Sequence, residues 1–275
     1  MKITIATPCY NSVNSIEKTI QSVLKAKSEN DIEYIIVDGS STDGTLDIVN
    51  RYRDDIDIIV SEKDAGIYDA FNKCVKIATG DYILILAADD YLLDGAIERF
   101  ISSVKVDTEV WVGSVVIYYE GYYQYMFSDK NLSMLHYCCS LRHPAAFFRK
   151  DVYEKYGYYN PELKVSGDRD IFLRMFEQGV SFQIEDIPVV FFSMDGVSNE
   201  RLNDLAIPEE RRISMEHGLS IDEIDNFYKK DSKRIVKEFM KSMAVKTHTY
   251  RLLSKMAGRG RKFISNEELY KLGVM

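Results

Sequence analysis

The sequence predicts an α/β fold, in which a mostly parallel central sheet is flanked by helices and followed by a C-terminal helical extension. Stretches of strand length alternate with stretches of helix length from the N-terminus to about residue 105, a pattern typical of parallel sheets. The predicted strands are apolar at consecutive positions, as expected for strands covered on both faces. After about residue 205 the chain becomes charged and helical, which indicates the extension.

Four strands are predicted in the first part of the chain, each an apolar run that ends in polar or turn residues. They cover residues 2–7, 34–38, 57–60 and the run ILILAADD, which begins at Ile83 and ends at Asp89 and Asp90. A helix follows each strand. The first opens with a capping box at 14–17 and ends near Ala26, and the second ends near Tyr52. The third covers 67–78, and the fourth begins near Asp94. Right-handed crossovers are expected between the parallel strands.

The alternation weakens beyond residue 105. Val, Ile and Tyr dominate residues 110–125, which predicts a hairpin-like pair of strands. Further elements are predicted as a short strand at 145–148, a helix at 170–178 closed by Gly179, and edge strands at 182–184 and 189–192 around Pro188. The predicted boundaries divide the chain into a body at 1–205, with halves 1–105 and 106–205, and a basic helical extension at 206–275.

Charge is distributed unevenly along the chain, whose formal net charge is -8. Residues 226–275 contain 13 Lys and Arg against 4 Asp and Glu, whereas the first 225 residues contain 22 against 39. No N-terminal signal segment and no apolar run of about 18 residues is recognised, so a cytoplasmic location is expected. The four cysteines lack metal-ligand spacing and are expected to be reduced thiols without a function.

Polar residues end four of the predicted strands. In open α/β sheets ligands bind outside the carboxyl ends of the strands, where side chains are reachable from solvent. The residues at these ends are Thr7 and Pro8, Asp38, Ser61 and Glu62, and Asp89 and Asp90. The sequence therefore predicts one crevice that these four strand ends face.

Asp89 and Asp90 suggest a metal site at this crevice. Adjacent carboxylates repel each other unless a cation compensates them, and hard oxygen ligands suit Mg²⁺ or Mn²⁺. The alternative is that one of them caps the next helix or lies in solvent. Asp38 could accept a hydrogen bond from a base or a ribose hydroxyl, although it could equally be a turn residue. Tyr10 and Asn11 offer an aromatic face and an amide that could hold a base.

Two nucleotide-binding motifs are absent from the sequence. The turn after the first strand reads TPCYNS, without the glycines of a dinucleotide-binding G-x-G-x-x-G motif. No phosphate-binding G-x-x-x-x-G-K-[ST] loop occurs either. Hydride transfer on a dinucleotide and P-loop hydrolysis are therefore excluded.

Six segments, in order, resemble the family 2 inverting glycosyltransferases of GT-A fold, particularly bacterial enzymes that build surface polysaccharides. They read TPCYNS, VDGSSTDGT, SEKDAGIYDAFNKCVKIATGDYILILAADD, HPAAFF, SGDRDIFLRM and DGVSN, and the resemblance covers about residues 1–200. It implies a Rossmann-like sheet, a nucleotide-binding half at 1–105 and an acceptor half at 106–205. It also implies a nucleotide-sugar donor, with uridine as the expected base, and a saccharide acceptor.

The resemblance implies the donor-binding residues position by position. They are Thr7, Pro8, Tyr10, Asn11, Asp38, Asp64, Gly66, Tyr68, Asp69, Asn72, Lys73, Asp89 and Asp90. Asp89 matches the last Asp of the family's D-x-D motif, which binds metal and diphosphate. Ala87 stands where the first Asp is usual, so metal binding would depend on Asp89 with help from Asp90.

The catalytic base is implied in the same way. Gly167 and Asp168 match the family's Glu-Asp pair, which puts Asp168 on the base that accepts the proton of the acceptor hydroxyl. The alternative is that Asp168 only caps a helix. Arg142 and His143 match a segment near the sugar or acceptor and could stabilise the departing phosphate, although a structural role for His143 is open. The segment 195–198 corresponds to a loop that folds over the site in the family, but its first Gly is replaced.

The C-terminal extension carries a basic amphipathic pattern. Apolar and Lys residues recur at helical spacing from residue 226 to about 256, and the basic residues continue to 262. Such a helix suits an anionic membrane surface at the inner face of the cell membrane, where a lipid-linked saccharide would be the acceptor. The alternative is a helix packed on the body with a solvated Lys face. Nucleic acid is not expected as a partner because the body is acidic.

Two other functions remain open. A sugar-phosphate nucleotidylyltransferase shares this sheet, but it carries a Gly-rich basic loop after the first strand that TPCYNS lacks. A non-catalytic nucleotide-sugar-binding or scaffold protein of polysaccharide assembly would fit the altered D-x-D and Glu-Asp motifs. Release of free nucleoside diphosphate when donor, Mn²⁺ and acceptor are mixed would exclude it.

Overall fold

The computed structural model describes residues 1–119, 122–193, 202–229 and 264–274. Within them one sheet of nine strands forms the centre of the protein, in the order β3-β2-β1-β4-β8-β6-β9-β5, and β7 pairs with β6. The strands are β1 Ile3–Cys9, β2 Ile32–Asp38, β3 Ile58–Ser61, β4 Tyr82–Ile85, β5 Tyr91–Leu92, β6 Val110–Tyr119, β7 Tyr122–Met126, β8 Ala146–Arg149 and β9 Phe182–Phe191.

Helices connect the strands and cover both faces of the sheet. They are α1 Ile16–Lys27, α2 Thr45–Arg51, α3 Ile67–Ile77, α4 Ala96–Ser103, α5 Asp151–Tyr156, α6 Gly167–Glu177, α7 Leu202–Glu216, α8 at 221–229 and α9 Asn266–Lys271. Two short 3₁₀ turns, Leu132–His136 and His143–Ala145, lie between β7 and β8.

The strand directions confirm the predicted mostly parallel sheet. β1 pairs in parallel with β2 and β4, β2 with β3, and β6 with β9. Among the described strands β8, β5 and β7 run in the opposite direction to the other six and pair antiparallel with β4, β6 or β9. Apolar side chains form a buried cluster on each face, one with α1 and α4 and the other with α3 and α6. The predicted hairpin at 110–125 is present as β6 and β7.

Several predicted boundaries were wrong. The predicted capping box before α1 does not form, because Ser15 is the N-cap residue and makes no side-chain capping bond. The fourth strand ends at Ile85, so Asp89 and Asp90 lie in the turn beyond it. The two predicted edge strands around Pro188 are one strand, β9, which lies between β6 and β5. Proline has no N–H to donate, and the pairing of β9 with β6 shifts register around Ser114, the partner of Pro188, which accommodates this.

The described parts of the predicted extension pack against the body. Ile213 of α7 is buried in the cluster that contains α3 and α6. Ile264, Leu269 and Leu272 form a third cluster with β5 side chains such as Tyr91. The boundary after residue 205 stays a prediction, and most of the predicted helix at 226–256 lies outside the described residues. Among the described helices none is both long enough and apolar enough to cross a membrane.

Candidate active site

The carboxyl ends of β1, β2, β3 and β4 meet at one edge of the sheet, because these four strands are parallel. β8 runs antiparallel to β4, so the segment that leads into β8 lies at the same edge. This segment contains Arg142 and His143. The topology therefore brings the predicted donor residues and the predicted leaving-group residues to one side of the molecule.

The loops after β1 and β2 are bonded to each other. Asn11 has a left-handed backbone (φ 49°), its N–H donates to Ser41 Oγ at 2.8 Å, and its Oδ1 accepts from Thr42 N at 2.9 Å. Asn tolerates this conformation better than most residues. The ring of Tyr10, in contrast, is 61% exposed. Asn11 thus fixes the loop, and Tyr10 presents a free face for a base.

The side chains of Thr7 and Asp38 are buried at the ends of β1 and β2. Thr7 Oγ1 lies 3.3 Å from Tyr34 OH, and Pro8 is buried in the strand. Asp38 accepts from Ser61 Oγ at 2.7 Å and from Ser41 N at 3.2 Å. Burial and the neighbouring Asp38 raise the pKa of the Cys9 thiol far above its usual value. Asp38 is therefore held in place by the protein before any ligand binds.

A close approach of three loops forms the candidate base pocket. A Cβ at Gly39 would lie 2.4 Å from Asp64 Oδ2 and 3.3 Å from Tyr10 Cδ2, so a larger residue here would displace the carboxylate of Asp64. Asp64 Oδ1 also accepts from Gly66 N at 3.1 Å, which shapes the turn before α3. An aromatic face and a carboxylate converge beside the buried backbone of Gly39, which suits a planar base with N–H donors.

The polar residues of α3 already have partners within the protein. Asn72 makes two bonds to Tyr159: its Nδ2 donates to the carbonyl at 2.9 Å and its Oδ1 accepts from the N–H at 3.0 Å. Lys73 Nζ lies 2.9 Å from Glu62 and 3.5 Å from Asp69, and Glu62 raises the pKa of Lys73. These contacts favour structural roles for Asn72 and Lys73 over the predicted contacts with the donor.

Asp89 and Asp90 form a small acidic site in the turn after β4. Asp90 Oδ1 accepts from Ser193 N at 2.8 Å, whereas its buried Oδ2 has no hydrogen-bond partner in the described part of the chain. Burial and the adjacent Asp89 raise the pKa of Asp90 well above its usual value. Among the described residues no three His, Cys, Asp or Glu side chains are grouped to hold a metal. The two carboxylates of Asp89 and Asp90 nevertheless fit Mg²⁺ or Mn²⁺, because these ions take one or two carboxylates and complete their shell with water and phosphate.

Asp168 lies partly buried in the first turn of α6. Its Oδ1 accepts from Arg169 N at 2.8 Å, and its Oδ2 accepts from the Cys139 thiol at 3.4 Å. Burial raises the pKa of Asp168. A carboxyl group with a raised pKa is suited to general base catalysis near neutral pH.

Gly167 explains one departure from the family pattern. A Cβ at this position would lie 2.7 Å from the ring of Tyr68, so the Glu that is common there has no room. Backbone groups of Gly167 and Asp168 hydrogen-bond the hydroxyl of Tyr68. The start of α6 is thus packed directly on the start of α3.

His143 and Arg142 differ in their surroundings. His143 is buried, stacks on Phe71 at 5.5 Å and bonds Tyr159 OH at 2.7 Å, and burial lowers its pKa to about 4. It is therefore neutral at physiological pH, which disfavours the predicted role at a departing phosphate. Arg142 is less buried, and its Nε donates to Phe127 O at 3.2 Å. Of the two, Arg142 is the residue that can supply positive charge.

Two features of the site were missed by sequence reasoning. Cys139 contacts Asp168, although the cysteines were expected to have no function. Glu209 of α7 bonds the segment before α6, although α7 was assigned to the extension. Their sequence contexts carry no signal, because both contacts join residues distant in the chain. The predicted loop at 195–198 lies outside the described residues. A cavity lined by 105–108 and 181–185 lies at the edge of the sheet opposite the candidate site.

The chain is similar to a protein family, to characterised sequences and to solved structures. Residues 4–167 match the family model described as Glycosyl transferase family 2. A PGL/p-HBAD biosynthesis glycosyltransferase of Mycobacterium bovis is 31% identical over 179 residues, which are 62% of this chain and 68% of that protein. TuaG of Bacillus subtilis, a putative teichuronic acid biosynthesis glycosyltransferase, is 40% identical over 91 residues, which are 32% of this chain and 36% of that protein.

A solved structure shares the fold. Residues 1–349 of S. aureus TarS, in complex with UDP-GlcNAc, superpose with a TM-score of 0.59 at 21% identity. The match covers 78% of this chain and 71% of that chain. The share of the chain in this match is larger than the stretch 4–167 that the family model covers.

Proposed function

The chain belongs to glycosyl transferase family 2 and has the GT-A fold, and from this premise we propose that it transfers a sugar from a nucleotide donor to a saccharide acceptor with inversion. One observation carries the proposal. The contact between Tyr68 and Gly167 places Asp168 beside the start of α3, and the loop before α3 lines the candidate base pocket. A nucleotide-sugar in that pocket would extend toward a carboxylate suited to act as a base.

The donor is proposed to be a UDP-sugar. The base would stack on the exposed ring of Tyr10, and its N–H group would donate to Asp64 or Asp38. TarS was solved with UDP-GlcNAc, which is consistent with a uridine donor here. The diphosphate would then point toward the turn that contains Asp89.

A divalent cation is proposed at this turn. Asp89 would hold it, with Asp90 beside it, and the diphosphate would complete its shell. The cation would supply Lewis-acid stabilisation of the negative charge that develops on the leaving diphosphate. Asp90 contributes a buried oxygen that lacks a partner among the described residues, which favours a cation near it.

Asp168 is proposed to accept the proton of the attacking acceptor hydroxyl. Inversion requires this hydroxyl to approach the anomeric carbon from the face opposite the diphosphate. Burial raises the pKa of Asp168, so its carboxylate binds a proton more readily than an exposed one. Arg142 is placed at the same edge and would stabilise the leaving group in place of the neutral His143.

The acceptor is proposed to be a lipid-linked saccharide of cell-surface polysaccharide synthesis at the inner face of the membrane. The relative TuaG is named for teichuronic acid biosynthesis. The basic residues between 226 and 262 would attract an anionic lipid surface. The body at 1–205 would carry the chemistry, and the segment from 206 onward would bring it to the membrane.

A thermal-shift panel tests the donor and the cation. Nucleoside diphosphates and UDP-sugars are added with and without Mn²⁺ to the wild type and to Asp89→Ala. UDP with Mn²⁺ is expected to raise the Tm of the wild type, because ligands that bind only the folded state stabilise it. In Asp89→Ala, most of the rise in Tm that depends on Mn²⁺ is expected to be lost. An equal shift in both proteins would contradict the cation site.

A scaffold that binds nucleotide-sugars without catalysis is the second candidate. The replacement of the first D-x-D carboxylate by Ala87 favours it. Release of UDP from the donor that gives the largest thermal shift would exclude this candidate.

A further inference from the structure

Glu209 on α7 lies against the segment that leads into α6. Its carboxylate accepts hydrogen bonds from three consecutive backbone amides: from Lys164 at 2.7 Å, and from Val165 and Ser166 at 3.0 Å each. All three contacts involve backbone N–H groups. They therefore fix the path of the chain, whatever side chains stand at these positions.

The anchored segment ends two residues before Asp168. Ser166 is the N-cap residue of α6, but its side chain makes no capping bond. Amides at the start of a helix lack partners within the helix, and a negative charge there is favourable. The carboxylate of Glu209 satisfies the amide of Ser166 from outside the helix.

The same segment also reaches the donor side of the site. A Cβ at Gly66 would lie 3.9 Å from Lys164 Nζ, so the ammonium group is close to the start of α3. Lys164 is held through its N–H by Glu209. One carboxylate therefore fixes both the residue that approaches the donor loop and the turn that carries Asp168.

α7 is itself firmly attached at this point. The fully buried Arg169 donates to Glu210 O at 2.6 Å and to Ser214 Oγ at 2.7 Å, both on α7. It also donates to Leu135 O at 2.8 Å. Glu210 accepts from Tyr228 OH at 2.9 Å. A helix held in this way provides a fixed support for the carboxylate of Glu209.

Building on the proposed role of Asp168 as the base, we infer that Glu209 is a positioning residue, which clamps the segment before α6 so that Asp168 faces the acceptor hydroxyl. The precise orientation of a reacting group strongly affects rate. Without the clamp the first turn of α6 would move away from Tyr68, and water would reach Asp168.

The groups that face Asp168 determine how loss of the clamp changes its ionisation. They are the Cys139 thiol at 3.4 Å, Tyr68 on α3, Tyr159, Arg169 on its own helix and Glu210 on α7. Burial is the main cause of its raised pKa. Entry of water would therefore lower the pKa of Asp168 toward the value of an exposed carboxyl group.

Glu209→Gln tests the inference, with Glu216→Gln as the matched control on the same helix. Glu216 is largely exposed and pairs only with Arg212 among the described residues, at 3.5 Å. Gln keeps the size of Glu209 but replaces one acceptor oxygen by an NH₂ group. This group is a donor, so it cannot accept a hydrogen bond from the backbone amides. Glu209→Asp, which withdraws the charge by one methylene, is a second variant with a smaller expected effect.

Two measurements need no substrate. Hydrogen exchange of the backbone amides at 164–168 is expected to be at least about tenfold faster in Glu209→Gln than in wild type, because the amides at 164–166 lose their acceptor and the first turn of α6 is released with them. A ¹³C NMR titration, assigned with Asp168→Asn, is expected to show the pKa of Asp168 lowered by about one unit. Glu216→Gln should match wild type in both.

A third measurement uses hydrolysis of UDP-N-acetylglucosamine with Mn²⁺, in which water attacks in place of the acceptor hydroxyl, N-acetylglucosamine is formed and UDP is released. In Glu209→Gln, kcat is expected to fall at least about tenfold while KM stays within about threefold, as for a group that orients the reacting carboxylate. A lower Tm with unchanged exchange at 164–168 and unchanged pKa of Asp168 would show a helix cap only, and would overturn the inference. Full UDP release by Asp168→Asn would instead overturn the base itself.

Discussion

Asp168 is partly buried, and in its proposed role as the base this burial determines how the rate should depend on pH. The carboxylate must be deprotonated to accept a proton, so kcat should be constant at high pH and fall as the pH decreases through the pKa of Asp168. Because burial raises this pKa, the fall should begin above the range of an ordinary Asp. A profile of UDP release against pH measures it.

Asp168→Asn should remove this dependence together with the activity. An amide cannot accept the proton, so kcat is expected to fall about a thousandfold, while the affinity for UDP stays unchanged. Asp186→Asn is the control, because Asp186 is exposed and pairs with Lys130. Turnover by Asp168→Asn above one tenth of the wild-type rate would contradict the assignment.

Asn72 shows a residue whose predicted role and observed contacts differ. Both polar atoms of its buried side chain bond the backbone of Tyr159. Asn72→Ala leaves a buried N–H and a buried C=O without partners, so the free energy of unfolding should fall by about 2 kcal/mol. Urea denaturation measures this change.

Titration of the same variant with UDP separates the two roles. If Asn72 only joins α3 to the loop of Tyr159, the affinity for UDP should change less than about threefold, measured where both proteins are folded. A loss of affinity with unchanged stability would support the donor contact that the sequence predicts.

At the scale of elements, Glu33 ties β2 to its neighbours. It accepts from Thr4 Oγ1 at 2.6 Å, from Thr79 N at 2.7 Å and from Lys2 Nζ at 3.0 Å, and also from the Thr79 hydroxyl. These bonds lower its pKa to about 2 against the opposing effect of burial. The charge of Glu33 is therefore part of the connection between β1, β2 and the turn after α3.

Glu33→Gln should lower the free energy of unfolding by about 2 to 3 kcal/mol at neutral pH. The folded pKa is below the unfolded one, so this contribution is present above the unfolded pKa of about 4.3 and is lost as the pH falls through the folded pKa near 2. Urea denaturation of both proteins at pH 7 and at pH 3 measures the difference. A difference that grows on acidification would contradict the assignment.

Elements with a local signal could be predicted from the sequence, and elements that depend on distant partners could not. β1 and β2 are continuous apolar runs, and their positions follow from the residues themselves. β5 contains only Tyr91 and Leu92 and exists because it pairs with β9. β9 was divided at Pro188 because the sequence does not show that β6 accommodates the missing N–H.

The candidate site divides in the same way. The resemblance implied roles for Asp38, at the end of β2, and for Asp168, in the first turn of α6. It did not show that Lys73 is neutralised by Glu62, or that burial keeps His143 neutral. Nor could it connect Glu209 to Val165, because that bond joins residues 44 positions apart. Such contacts form only once α7 packs on the body.

At the scale of the whole molecule, the chain is attached to the body both before and after the basic segment, which is the stretch between residues 229 and 264. α7 is fixed by Arg169 near the candidate base, and α9 is fixed at the other side, where Asp94 N donates to Leu272 O at 3.0 Å. The residues between 229 and 264, which hold most of the C-terminal Lys and Arg, connect these two attachments. A surface bound through this segment would therefore be held near the domain that carries the site.

Flotation with vesicles tests whether that surface is an anionic membrane. The full chain is expected to float with vesicles that contain phosphatidylglycerol at low salt and to remain at the bottom with neutral vesicles, because each basic residue near an anionic surface contributes about 1 kcal/mol. A variant with Lys233, Lys237 and Lys241 replaced by Glu should lose flotation. A control with Lys105 and Lys130, in the acidic body, replaced by Glu should keep it. Flotation should also decline as salt rises to about 0.5 M, since screening weakens the attraction. Wild type that stays at the bottom at low salt would show that the basic segment does not bind such a membrane.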